Sequence, residues 1–263
     1  LSEIAKTKAG IIKADSVAVL ARQKPEAAVE LLRRAAEVGA DVAREGVEYS
    51  LESRAGALGG QLLSINGLSQ RYDDIFLPLH GKHQAANAAT ALAAVESFFG
   101  GHELDPESVR AGFAAVTSPG RCEIVFRDPT IILDAAHNPH GARALAETLV
   151  DEFTFDEIIG IFGAFADKDI EGILKELEPI INSLIVTAST SPRAMPAGDV
   201  QRIAERIFGS GRVRMVEHLE DAVKQAITDS RDPRSDESVG IVITGSVVTV
   251  GQARAFLKRL ASD

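Results

Sequence analysis

Asp134 and His137 are the residues whose types and spacing most readily suggest chemistry. They follow the aliphatic run Ile131-Ile132-Leu133 and precede Asn138-Pro139, which read as a helix N-cap and first helical residue. A carboxylate and an imidazole therefore fall in a turn between a strand end and a helix start. That is where open α/β sheets bind ligands, beside backbone N–H groups that favour anions. A capping aspartate and a solvated histidine account for the same residues equally well. A second grouping is His83-Gln84-Ala85-Ala86-Asn87, whose two amides lie three apart and face the same way in a helix's first turn. They are either surface amides or, with His83, a set able to hold a base or a ribose.

Composition bounds what these residues can serve. The 263-residue chain is 45% hydrophobic and 25% charged, values of a soluble globular protein with one large domain or two ordinary ones. No apolar run approaches the roughly 18 residues of a membrane span, and residues 158–166 come nearest. The N-terminus carries Ser2, Glu3, Lys6 and Lys8 without an apolar core, so no signal peptide is expected. The single cysteine, Cys122, rules out an internal disulfide and fits a reducing cytoplasm. A net charge of −10 argues against non-specific binding of nucleic acid or membrane surfaces, so an anionic ligand needs locally placed Lys and Arg.

The elements that must position the candidates differ between the two halves. In the first, residues 17–21 read as a short strand. Pro25 opens a helix whose apolar face carries Ala28, Val29, Leu32 and Ala36, and Gly39 ends it. Over 41–79, short alternating runs broken by Gly59-Gly60 and Asn66-Gly67 predict a hairpin or meander. Gly81 leads into an alanine-rich helix to about Phe99, with Ala88, Ala91, Leu92 and Val95 as its buried stripe. Pro106 opens a shorter helix to Val116. Thr117-Ser118-Pro119-Gly120-Arg121 is the best linker candidate, which places one domain at 1–117, a linker at 118–122 and a second domain at 123–263.

The second half alternates strand and helix. Strands are expected at 130–134, 157–162, 184–187, 213–216 and 240–244, each followed by a helix, with Asp199 capping the one after the third. Five such units within about 130 residues predict a Rossmann-like parallel sheet covered on both faces. Its strand ends carry Asp134 with His137, Gly163 with Asp167, Arg193, His218, and Gly245 with Ser246, all on one edge. No Gly-x-Gly-x-x-Gly follows any of these strands, which argues against a dinucleotide site.

Taken together, these stretches resemble the folylpolyglutamate synthase/dihydrofolate synthase family, a branch of the Mur ligase superfamily. The matching segments are Ile4 to Lys13 (Ile-Ala-x-x-Lys-Ala-Gly-Ile-Ile-Lys), His83-Gln84-x-x-Asn87-Ala88, Ser118-Pro119-Gly120-Arg121 and Leu133-Asp134-x-Ala136-His137-Asn138-Pro139. Gly163-Ala164 with Asp167-Lys168-Asp169, and Thr244-Gly245-Ser246, complete the set. The resemblance implies an α/β chain: part of a Mur-ligase ATPase domain, built of helices plus an antiparallel meander, followed by a Rossmann-like parallel-sheet ligase domain. It implies an ATP-dependent amide ligase that adds L-glutamate to folates, to dihydropteroate, or to both. ATP phosphorylates a carboxylate, the amine of glutamate attacks the acyl phosphate, and magnesium and cations spread the charge.

The same resemblance implies roles for single residues. Lys8 matches the family lysine found carbamylated near the magnesium, where burial leaves a neutral amine to take up CO₂. The position before it, often Glu in the family, is Thr7 here. Asn87 matches an adenine contact, and Arg121 the linker arginine that reaches the ATP phosphates. Asp134 and His137 match the pair that meets ribose and phosphate, and neither is expected in the core. His83, Arg193 and Ser246 are candidate substrate contacts. The whole enzyme is expected to be cytoplasmic and monomeric.

One departure stands out. The family's phosphate-binding loop, Gly-x-x-Gly-Lys-Ser, does not occur, and the nearest Gly81-Lys82 is followed by His83. The family's magnesium-binding Glu and His precede the Lys8 motif, so no metal site is complete here. The chain is therefore expected to be the C-terminal portion of such an enzyme, inactive alone and self-associating through residues 1–116. Two other readings are a non-catalytic nucleotide-binding module and a Mur-type ligase of cell-wall precursors.

Overall fold

The apolar residues of the first half are spaced for short strands held by helices, and they build two small sheets, one of two strands and one of three. The computed structural model describes residues 1–231 and 238–261. It resolves into two compact units, residues 1–78 with 82–117 and residues 79–81 with 118–263. The last two positions of the span expected at 123–263 lie outside the described residues.

In the first unit, α1 (Ser2–Ala9) and β1 (Val17–Leu20) lead into α2 (Pro25–Val38), which packs on α1. β2 (Asp41–Arg44) then pairs in parallel with β1, Val17 opposite Asp41. Pro25 suits the first helical turn, where its missing N–H costs nothing, and Gly39 ends α2 at φ +71°. The buried face of α2 is not the expected one. Ala27, Leu31, Ala35 and Val38 turn inward, because Leu31, Ala35 and Val38 cover Ala18 and Val42 of the strand pair, and Val29 and Leu32 are exposed.

β3 (Ser50–Ala57), β4 (Gly60–Asn66) and β5 (Arg71–Leu77) form the antiparallel meander. Leu58 and Gly59 (φ +78°) make its first turn, and residues 67–70 its second, since Asn66 pairs with Arg71. α3 (Lys82–Phe98) packs on β1, β3 and β4 through a seam of alanines and Leu92. Ala91 and Val95, expected in that seam, instead line an open apolar groove of about 500 Å³ against α4 (Pro106–Ala114). The inward position after Ala93 is Glu96, fully buried.

Its carboxylate accepts from the N–H groups of Leu68 and Ser69 at 2.5 and 3.3 Å and from the Tyr72 hydroxyl at 2.9 Å. Glu96 thus closes the 67–70 loop from within, and a Cβ at Gly67 would run into it. Glu96→Ala is expected to cost about 3 kcal/mol, because two backbone donors and a phenol lose a charged acceptor. Chemical denaturation measures this; an unchanged midpoint would show that the loop finds other partners.

In the second unit, β6 (Glu123–Arg127) turns through the cis peptide Asp128–Pro129 into β7 (Thr130–Leu133), to which it is antiparallel. There follow α5 (Pro139–Glu152), β8 (Glu157–Phe162), α6 (Ile170–Leu177), β9 (Ser183–Ala188), α7 (Ala197–Phe208) and β10 (Val213–His218). α8 (Leu219–Asp229), β11 (Val239–Thr244) and α9 (Val247–Leu260) complete it. The sheet order among the described residues is β10-β9-β8-β11-β7-β6, parallel except for β6. The inner strands are near-continuous Ile, Val and Leu because both faces are covered.

β6 was not among the expected strands. It is an edge strand, only partly buried, and its short Ile-Val-Phe run carries no clear alternation of polar and apolar residues. The pairing is irregular between Ile124 and Phe126 in β6, and likewise between Met215 and His218 in β10 on the opposite margin. Asp199 does not cap α7: the helix opens after Pro196, and Asp199 lies in its first turn paired with Arg202. α9 begins at Val247, where Ser246 caps it.

Helices α5, α6 and α7 cover one face of the sheet, and α8 and α9 the other. β11 lies between β7 and β8, whose following helices go to the opposite face from its own. The connections therefore leave toward opposite faces on both sides of the β11 end, which is where an open α/β sheet leaves a crevice for ligands.

Candidate functional site

The β7–α5 turn sits beside that switch. Asp134 N–H continues the parallel ladder to the Ile243 carbonyl at 3.0 Å, so the residue is fixed at the strand end. Asn138 then caps α5 by accepting from Gly141 N–H at 2.8 Å, with Pro139 next. Asp134 is 8% exposed, against the expectation that it stands outside the core. One carboxylate oxygen accepts from Cys122 N–H at 2.9 Å and the other from Ala136 N–H at 2.8 Å. Burial pushes this carboxyl up from its ordinary range; the two N–H donors and the charges of Arg121 and His137 pull the other way. Asp134 is thus a structural hub whose oxygens already have partners.

His137, half-buried, has Nδ1 2.9 Å from the Ala135 carbonyl. A carbonyl only accepts, so Nδ1 carries the proton and Nε2 is the nitrogen left to take a partner.

The Ser118-Pro119-Gly120-Arg121 stretch, expected as a linker, is locked onto this turn. Gly120 accepts from Ala135 N–H at 2.8 Å, and Arg121 N–H returns to the Ser118 carbonyl at 3.2 Å. Gly120 has φ +70° and a Cβ there would meet Val250 at 2.9 Å, so glycine is required twice over. Cys122 is buried with φ +48°, and burial together with Asp134 pushes its thiol up to about 12, which leaves it unreactive. Arg121 between them is exposed. Two motifs that the sequence lists separately therefore form one cluster in which the Arg121 guanidinium is available to an anion and His137 Nε2 to a hydroxyl donor. Glu123 and Arg254, which flank the cluster, carried no signal in the sequence, since a carboxylate after a turn and an arginine in a terminal helix read as surface.

The ends of β8 and β11 are tightly packed. Gly163 and Gly245 meet closely enough that a Cβ on Gly245 would lie 2.6 Å from the Gly163 carbonyl. Ser246, 1% exposed, accepts from Thr249 N–H at 3.0 Å as the α9 cap. Its hydroxyl is engaged at the start of the helix. Arg193 forms a fork with both oxygens of Asp167 at 2.9 and 3.0 Å and lies over the Phe165 ring at 4.6 Å. Lys168 and Arg193 hold the Asp167 carboxyl below its usual range.

In the first unit, Asn87 Nδ2 donates to Gln84 Oε1 at 3.2 Å, so the two amides share one exposed patch at the start of α3, where His83 also lies exposed. Lys8 is exposed on α1. No three His, Cys, Asp or Glu side chains among the described residues group as metal ligands. The residues present do not by themselves fit the magnesium that the resemblance implies.

Comparison with known proteins adds three findings. The family model "Mur ligase, glutamate ligase domain" matches residues 120–247. The chain is 47% identical, over 98% of its length, to a dihydrofolate synthase/folylpolyglutamate synthase of Mycobacterium tuberculosis, covering 57% of that protein. It is 31% identical over 98% of its length to the corresponding Bacillus subtilis protein, covering 58% of it. The chain therefore spans less than three fifths of the length of these relatives. It superposes on a crystal structure of M. tuberculosis folylpolyglutamate synthase complexed with ADP and AMPPCP with TM-score 0.94 and 48% identity, over 97% of this chain and 59% of that one. It superposes on Escherichia coli FolC in complex with DHPP and ADP with TM-score 0.82 and 25% identity, over 99% of this chain and 57% of that one.

Proposed function

We propose, for a chain whose residues 120–247 belong to the Mur ligase glutamate ligase domain family and whose length aligns with folylpolyglutamate/dihydrofolate synthases, that it serves an ATP-dependent amide ligase joining L-glutamate to a folate or to dihydropteroate. In that reaction ATP transfers its terminal phosphoryl group to a substrate carboxylate. The glutamate amine then attacks the acyl phosphate, an amide forms and phosphate leaves. The observation that supports this most is the 47% identity over 98% of the chain. The ADP and AMPPCP bound to the M. tuberculosis relative support ATP as the nucleotide.

Arg121 suits a phosphate contact because its turn is fixed and its guanidinium is exposed and planar. His137 suits a ribose hydroxyl, which would donate to Nε2, and the Gln84–Asn87 amide pair suits the edge of adenine. Asp134 holds the other two in place. Arg193 remains a candidate for the glutamate carboxylates, with Asp167 as the partner a substrate would displace. Lys8 as a carbamylated lysine rests on its motif alone, and intact-mass analysis for a CO₂ adduct checks it.

The full-length gene product, offered ATP, glutamate and one acceptor at a time, tests the reading. Amide formation is expected with dihydropteroate or tetrahydrofolate and not with UDP-sugar peptides. Arg121→Ala is expected to reduce turnover by about 10²-fold, the usual loss when one group facing developing charge is removed. Turnover only with UDP-sugar peptides would assign the chain to cell-wall synthesis. Nucleotide binding without any turnover would make it a binding module.

A further inference from the structure

Two side chains around Arg121 are left unexplained by the nucleotide reading. Gly120 N–H donates to Glu123 Oε2 at 2.8 Å, and both Glu123 oxygens accept from Arg254 Nε of α9 at 2.9 and 3.1 Å. The pair is largely shielded, with side-chain exposures of 21% for Glu123 and 32% for Arg254. On the other side of the arginine, Cys122 N–H donates to Asp134. The peptide groups flanking Arg121 are thus held by two carboxylates from different parts of the unit. Both flanking residues have positive φ, and for Cys122 that conformation is intrinsically unfavourable and must be imposed. A Ser-Pro-Gly-Arg turn without such anchors samples many conformers, and fixing it at the moment of binding would cost backbone entropy.

We infer that Glu123 and Arg254 are positioning residues for Arg121. Arg254 orients the Glu123 carboxylate, the carboxylate fixes the Gly120 peptide, and the arginine is presented on a rigid root. The inference rests on the reading of Arg121 as the nucleotide contact. A pair that merely ties α9 to β6 would affect stability, but its effect on nucleotide affinity would not depend on whether residue 121 is arginine.

A double-mutant cycle on the full-length gene product separates the two, read as ADP affinity by calorimetry and as kcat and KM for ATP. Glu123→Ala is expected to weaken ADP about tenfold, the size of one lost charge-assisted hydrogen bond, and to raise KM for ATP more than it lowers kcat. In an Arg121→Ala background the same substitution is expected to add less than about twofold. Glu123→Gln keeps an acceptor for Gly120 N–H and is expected to recover most of the affinity. Equal losses in the two backgrounds, or unchanged affinity in Glu123→Ala, would overturn the inference while leaving Arg121 as a contact. Unchanged ADP binding in Arg121→Ala would overturn the nucleotide reading and the inference with it. If Glu123→Ala does not fold, Arg254→Met carries the same comparison, with a loss of about threefold expected only when Arg121 is present.

Discussion

Replacing Asp134 by alanine is expected to lower the unfolding free energy of the second unit by about 2–4 kcal/mol, because two buried N–H groups, on Cys122 and Ala136, lose their charged acceptor. Urea titration of wild type and variant measures the difference. Turnover is expected to fall as well, at temperatures where both proteins are folded, since the turn carrying Arg121 is released. The pH dependence has a definite sign. Burial raises the folded-state pKa of this carboxyl above its unfolded value of about 3.9. Its favourable contribution is therefore full below the unfolded pKa and is lost as pH rises through the folded value. Asp134→Asn, neutral throughout, is expected to lack that drift. A stable Asp134→Ala protein with normal turnover would mean that the two N–H groups find water instead.

The 263-residue chain by itself is expected to show no ATP turnover and no glutamate ligation, at least about 10³-fold below the full-length gene product. Phosphoryl transfer depends on positioning and on spreading charge. A glycine-rich loop does this by aiming successive N–H groups at the β- and γ-phosphates, with a lysine and a hydroxyl beside them. The sequence contains no such loop, and Arg121 supplies only one side of an anion's surroundings. A phosphate-release assay on the purified chain is the check. Magnesium-dependent turnover that disappears with Asp134→Ala would reveal a phosphate site in these residues.

Much of the second unit was legible because its signals are local. Asn138-Pro139 states a helix start, and runs such as Ile-Ile-Gly-Ile-Phe state buried strands. The pairing order was not legible, and neither was β6, whose identity as a strand depends on β7 lying beside it. The helical faces of α2 and α3 were misread for the same reason. Several residues on each helix are apolar, and only the neighbouring strands decide which of them turn inward. At the site, the residue types were legible but their hydrogen-bond partners were not: no local signal shows that Asp134 accepts from two N–H groups or that Ser246 caps α9. The role of Glu123 depends on Arg254, more than a hundred positions away in the chain.

The two outer strands of the six-stranded sheet both break step with their neighbours, β6 between Ile124 and Phe126 and β10 between Met215 and His218. β6 also begins and ends on charged residues. A foreign strand docking on either margin would meet a kinked row of donors and acceptors instead of a flat one, and on the β6 margin it would also have to bury Glu123 or Arg127 beside it. Lateral growth of this sheet from one molecule to the next is disfavoured at both ends, which protects a unit whose inner strands are among the most apolar segments of the chain.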